Sequence, residues 1–198
     1  MRQYGYDVAA ARDLLRAAGW SPGSDGVLVN GQGERFEITC TVFSGDQLRR
    51  SIAETVQRTF RDVGIDLRLR ELETATAIRA AGNGEYDVAV WLNAYGGGSG
   101  EPDARHALST GAFQNFSHWS NAEADRLLEQ GAAATDPQQR RGIYAELQRL
   151  VADEVPFLFL VFPQTVVHVN RRLRGLPDEA PNPMALFQSF HRCWIEEE

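Results

Sequence analysis

The chain has 198 residues, 43% of them hydrophobic and 24% charged, with a formal net charge of −7. That length accommodates one good-sized domain or two very small ones, and the composition excludes a disordered tail, a collagen or a coiled coil. All 20 basic residues are arginine, and the excess of negative charge argues against nucleic acid as a partner.

In chain order, Asp7 reads as an N-cap, followed by Ala11, Leu14, Leu15 and Ala18 at helical spacing, with Gly19 as the stop. Residues 21–26 read as a turn-rich loop. Val27-Leu28-Val29, Asn30-Gly31 and the stretch from Glu34 onward then read as a hairpin. Phe36, Ile38, Cys40 and Val42 alternate with Glu37, Thr39 and Thr41, the period of a strand with one buried face. Ser44-Gly45-Asp46-Gln47 has capping-box spacing, and Leu48, Ile52, Val56, Phe60 and Val63 line one face of a long helix that Gly64 ends. Ile65, Leu67 and Leu69 alternate with arginine and aspartate as a second strand. A short helix over 74–81 ends at Gly82-Asn83-Gly84. The nearly continuous apolar run 86–92 predicts a central parallel strand covered on both faces. Residues 36–92 therefore read β-α-β-α-β, and right-handed crossovers make the three strands parallel. A glycine-rich loop fills 93–103. Capping signals at 120–123 and at Asp136-Pro137 open two more helices, 157–162 and 165–169 read as strands, and the end is short and aromatic.

In open α/β sheets, ligands bind outside the carboxyl ends of the strands. This points to Phe43, Ser44, Gly45 and Asp46 after the first strand, to 71–74 after the second, and to 93–103 after the third. The N–H groups of the Ser44-Gly45 turn either cap a helix or take an anion. Trp91 and Tyr95 could form the apolar wall of a pocket. The cluster Gly96-Gly97-Gly98-Ser99-Gly100 lacks the following Lys-Ser/Thr of a P-loop and opens onto no long helix, so it fits no nucleotide fingerprint. No two of His106, His118, His168 and His191 fall at i,i+4 on a predicted helix, and no nucleophile motif is present. The expectation is no metal, no cofactor and no catalytic residue, with Ser44/Asp46 the weak exception. The pairs Glu71/Glu73 and Asp153/Glu154 read as solvated. Cys40 reads as a small buried hydrophobe, with a Cys40–Cys193 disulfide as the alternative. No apolar run approaches the roughly 18 residues of a membrane span, and no signal-peptide pattern opens the chain.

Tyr6-Asp7 … Leu14-Leu15 … Ala18-Gly19-Trp20 resembles the start of the C-terminal lobe of family 5 extracellular solute-binding proteins, the oligopeptide/dipeptide-type receptors of ABC importers. The likeness continues through Val63-Gly64-Ile65, Tyr86-Asp87 … Trp91, Glu101-Pro102-Asp103, Asn115-Phe116 and Ser120 to Leu128. It extends through Asp136 … Tyr144 … Leu147-Gln148 to Val155-Pro156-Phe157, so that it covers residues 4–176. The resemblance implies an α/β fold: one lobe of a type II periplasmic-binding-protein-like fold, with a mainly parallel sheet flanked by helices. Residues 1–176 would be the C-terminal ligand-binding lobe. Residues 177–198 would be a segment returning toward an N-terminal lobe outside this chain. It implies solute recognition without catalysis, in a periplasmic or extracellular, membrane-associated setting, with a small-molecule or peptide solute and an ABC permease as partners. Membrane contact would come only through an anchor elsewhere or through the permease. Carried over residue by residue, the ligand contacts are Phe43, Ser44, Gly45, Trp91, Leu92 and Asn93, to which the strand-end reading adds Tyr95. Ala94 stands where peptide-binding members carry an aspartate for the ligand's α-ammonium, which leaves the solute open. The competing readings are a ligand-sensing lobe of a cytoplasmic regulator and an independent α/β enzyme.

Overall fold

In a computed structural model, the described residues are 5–91, 103–162, 166–177 and 183–196. The chain divides into two compact units, Arg2–Leu92 and Asn93–Glu198, and each is taken by itself.

The first unit opens with α1 (Val8–Ala17), whose N-cap Asp7 accepts a hydrogen bond from the Ala10 N–H. β1 (Ser21–Pro22) pairs antiparallel with β2 (Leu28–Val29). The hairpin expected from Val27 onward is thus displaced: β2 pairs backward with β1, and only the bridge Val29–Arg35 represents the forward pairing. The reason lies in the turn. Asn30 Oδ1 accepts from the N–H groups of Gln32 and Glu34, which makes a wider loop than a two-residue hairpin turn.

β3 (Glu37–Phe43), α2 (Gln47–Asp62), β4 (Asp66–Leu72), α3 (Thr74–Gly82) and β5 (Val88–Ala89) follow. The sheet order is β4-β3-β5 and both pairings are parallel, in register from Glu37–Asp66 to Phe43–Leu72 and over Cys40–Val88 and Thr41–Ala89. This is the expected β-α-β-α-β sheet, with one correction. Among the described residues the strand read as central, 86–92, stands at the edge, and β3 is the centre. Its ladder is short because Asp87 uses its carboxylate, not its backbone, to take the Thr39 N–H at 2.7 Å. The core lies between β3 and α2: Cys40, Val42, Leu67, Val90 and Ala53 are buried, flanked by Ile38, Ile52, Val56 and Phe60. Burial raises the Cys40 thiol to about 11, and both cysteines are free, so the alternative disulfide is not formed. A thiol reagent at neutral pH should therefore modify the half-buried Cys193 in the native protein and Cys40 only after unfolding; equal rates in native buffer would contradict this packing.

Two capping assignments shift. Asp46, not Ser44, caps α2, because Gly45 turns the chain at φ +80° and hands the cap to the next residue. Asn121, not Ser120, caps the first long helix of the second unit; the Ser120 hydroxyl lies 3.2 Å from that of Thr110 instead.

The second unit comprises α4 (Arg105–Leu108), α5 (Ala122–Ala133), α6 (Pro137–Glu154), β6 (Leu173–Arg174), α7 (Pro183–Gln188) and β7 (Trp194–Ile195). Neither short helix, α4 nor α7, was expected from periodicity, since fewer than two turns are too short to show any. Ala104, Leu108, Ala124, Leu127, Leu128, Leu147 and Val151 form its core. Asn115 is buried and its amide donates to the Ser109 and Trp119 carbonyls, tying the loop between α4 and α5.

The expected strands 157–162 and 165–169 are not formed among the described residues, which exclude 163–165. Their apolar, β-branched composition suits a strand, but a strand exists only with a neighbour to take its N–H and C=O groups. Leu158, Phe159, Leu160, Val161 and Phe162 are all exposed. Of the terminal aromatics, Phe187 and Phe190 meet edge-on at 5.5 Å, and Trp194 lies in β7, paired antiparallel to β6.

Candidate functional site

The strand-end positions of the first unit do converge. Two residues beyond the Thr41–Ala89 pair, Phe43 and Trp91 emerge on the same side of two parallel neighbours, and their rings meet edge-to-face at 5.0 Å. Side chains of like parity share a face in a parallel ladder, so this pairing follows directly from register. It is the face opposite Ile38, Cys40 and Val42, and the first turn of α2 reaches it through Arg49.

Phe43, Ser44, Gly45 and Trp91 line one open concavity of about 580 Å³ with Asp46, Gln47, Arg49, Thr74 and Ile78. The tight turn at Gly45 lifts the chain from β3 into α2, and Ser44 N–H is fixed by the Leu72 carbonyl at 2.8 Å. Leu92, Asn93 and Tyr95 lie outside the described residues, as does most of the glycine-rich loop.

Sequence reasoning missed Arg49. Its guanidinium sits 4.4 Å from the centre of the Phe43 ring and pairs with Asp46 one turn earlier. The Arg49 N–H bond, then the guanidinium, holds the Asp46 carboxyl below the usual carboxylate range. Among the described residues no acceptor reaches the buried Arg49 Nε. The i,i+3 spacing of Asp46 and Arg49 was the available signal, but nothing local indicated that Phe43 would lie under the cation.

Three of the four residues in the acidic pairs have structural duties. Glu73 caps α3 and Glu71 pairs with Arg50. Glu154 accepts from the Trp119 indole and the Asn121 amide, both at 2.7 Å. Among the described residues no cluster of His, Cys, Asp and Glu could hold a metal ion, and no helix is long and apolar enough to cross a membrane.

Comparison with known proteins agrees with this architecture. Residues 1–116 match the family described as bacterial extracellular solute-binding proteins, family 5 Middle. The chain is 23% identical over 175 residues to the oligopeptide-binding protein AppA of Bacillus subtilis, covering 87% of this chain and 32% of that protein. The structure of AppA from Bacillus subtilis in complex with a nonapeptide aligns with 100% of this chain and 39% of its own at a TM-score of 0.77 and 21% identity. NikA from Brucella suis in complex with Fe(III)-EDTA aligns with 78% of this chain and 32% of its own, at 0.64 and 22%. The chain thus spans about a third of the length of the curated relatives it matches. The fold is one lobe of a periplasmic binding protein, as the resemblance implied. With a family match over more than half its residues and a structural likeness along its whole length, the chain belongs to the bacterial extracellular solute-binding proteins, family 5.

Proposed function

We propose that this chain is the solute-recognising lobe of a receptor that delivers its ligand to an ABC-type importer, and that the concavity beyond β3 and β5 is one wall of the ligand site. The observation that carries the reading is the meeting of Phe43 and Trp91 at the carboxyl ends of two parallel strands, over an open concavity that includes Ser44 and Gly45. Leu92, Asn93 and Tyr95 complete the assignment in sequence. Residues 1–176 are the binding lobe, and 177–198 return toward the part of the receptor that supplies the opposite wall. Nothing in this assembly requires bond making. The role is recognition in an extracytoplasmic setting, with a permease as the partner.

The likeness leaves the solute open, since relatives of similar identity are named for oligopeptides and for glutathione. One wall alone leaves a ligand wet, and hydrogen bonds exposed to water contribute little. A ligand held at micromolar affinity by a complete receptor should therefore bind the isolated chain at about millimolar or weaker.

The test is a thermal-shift screen of peptides, metal chelates and glycans against the protein, followed by calorimetry on each hit. Trp91→Ala should weaken any hit about tenfold or more, the loss of one aromatic wall. A hit whose affinity is unchanged in Trp91→Ala and in Ser44→Trp, which would fill the concavity, would place the ligand elsewhere and defeat the assignment.

A further inference from the structure

A second concavity, of about 470 Å³, lies at the other end of the same sheet. Val63 and Gly64 line it and lead into β4, whereas Phe43 and Trp91 stand where β3 and β5 end. A seven-residue strand sets the two ends roughly 20 Å apart. The two concavities have no lining residue in common, so both can be filled at once. The volume is that of a small-molecule site.

Three cations meet one carboxylate there. Arg12 and Arg16 are one turn apart on α1, Arg61 is in the last turn of α2, and Asp62 is the acidic neighbour. In a chain of net charge −7 this is a local reversal of sign. Cations at the carboxyl end of a helix often do no more than offset its dipole. Arg12 has that duty, since its guanidinium donates to the Asp62 carbonyl. For Arg16 and Arg61 the neighbouring carbonyls are already taken: Leu15 by the Trp20 N–H, Arg16 by the Gly19 N–H and Arg61 by the Gly64 N–H. Among the described residues Arg16 reaches only Asp13, in a pair whose side chains are 72% and 70% exposed, where water weakens the attraction. No acceptor among the described residues meets the Arg61 guanidinium.

The rest of the lining is apolar. Trp20 is half-buried and held by stacking on Phe36 at 4.3 Å, and Leu15 and Val63 belong to the same wall. A guanidinium carries five N–H donors in a planar fork that matches carboxylate and phosphate oxygens. Forks from two helices offer more donors than the two oxygens of one carboxylate take up. A phosphoryl group, with three acceptor oxygens and a charge near −2 at neutral pH, fits them.

We infer that this concavity binds a phosphate monoester with an apolar substituent, its oxygens on Arg16 and Arg61 and its substituent against Trp20. Such a group occurs free in solution or as the headgroup of phosphatidic acid.

The experiment is calorimetric titration of the 198-residue chain with phenyl phosphate, inorganic phosphate and benzoate. Phenyl phosphate should bind saturably and about fivefold or more tighter than the other two. Arg61→Gln should weaken it about tenfold, and Arg61→Lys less, because the charge is kept and the fork lost. Arg141→Gln removes the same charge from an exposed position on α6 and should leave the affinity unchanged. Raising salt from about 0.05 to about 0.5 M should weaken binding severalfold, since exposed charges are screened. Co-sedimentation with vesicles of phosphatidylcholine containing phosphatidic acid separates the sources. Vesicle binding that phenyl phosphate displaces and Arg61→Gln lessens assigns the lipid headgroup, and phenyl phosphate binding without vesicle binding assigns a soluble ester. Absence of saturable phenyl phosphate binding overturns the inference, as does binding that Arg61→Gln leaves unchanged. Equal affinity for inorganic phosphate or for benzoate also overturns it, by removing the role of Trp20 or of the phosphoryl group. None of these outcomes bears on the receptor assignment, which rests on Phe43 and Trp91 at the other end of the sheet.

Discussion

Gly64→Ala is expected to destabilise the Arg2–Leu92 unit by about 3 kcal/mol. Gly64 closes α2 at φ +90°, with its own N–H on the Arg61 carbonyl and the Ile65 N–H on the Phe60 carbonyl, the double bond of a Schellman motif. An alanine there suffers twice. The left-handed conformation costs about 1–2 kcal/mol for a residue with a Cβ. The Cβ would also stand 2.9 Å from the Gly26 carbonyl oxygen and 2.9 Å from Leu28 Cγ, so backbone or a buried side chain must move, which adds about 1–3 kcal/mol. Gly19 is the internal control. It ends α1 with the same pair of hydrogen bonds at φ +90°, yet nothing lies within 4 Å of its Cβ position. Gly19→Ala should then cost only the conformational part, about 1 kcal/mol. Urea unfolding of both variants separates the two contributions. Equal losses would show that the loop before β2 yields freely and that the close approach has no energetic weight.

Leu128→Ala should cost about 3–4 kcal/mol in the Asn93–Glu198 unit. Leu128 is 0% exposed at the centre of a cluster with Leu127, Leu147 and Val151, where α5 and α6 pack together. Truncation removes its transfer free energy and leaves a cavity that the two helices cannot close. Each helix is anchored at its start, α5 by Asn121 on the Glu123 and Ala124 N–H groups and α6 by Asp136 on the Gln139 N–H. Collapse is further limited at Gly131, where an added Cβ would already lie 2.9 Å from the Tyr144 ring. Leu158, 65% exposed, is the contrasting site, and Leu158→Ala should stay within about 0.5 kcal/mol. Amide exchange across α5 and α6 reads the difference: protection should fall about a hundredfold or more in Leu128→Ala and hardly change in Leu158→Ala. A loss below about 1 kcal/mol would mean that α5 and α6 repack around the missing side chain.

What the amino-acid sequence determined was whatever depends on near neighbours. Asp7 and Asp136 begin helices, and Gly19 and Gly64 end them, because a cap and a positive φ are satisfied within one turn. The alternation of 36–43 and 65–69, joined through a long amphipathic helix, specified parallel neighbours because a right-handed crossover is nearly obligatory. The same parallel order brings Phe43 and Trp91 to one edge, where their rings meet, since the carboxyl ends of such strands share one edge.

Tertiary structure decided the rest. An apolar run such as 86–92 reads alike at the centre or the edge of a sheet, because apolar covering can come from helices, strands or loops. Only pairing shows that β3 is central. Residues 157–162 have the composition of a strand and no ladder, because composition supplies propensity while the hydrogen-bonding partner is non-local. Arg49 lies in the first turn of α2. Its seat over Phe43 exists only once the end of β3 and the start of α2 are folded against each other. The pairing of Arg49 with Asp46 and its place over Phe43 were not legible, because contacts between side chains are settled by distance in space.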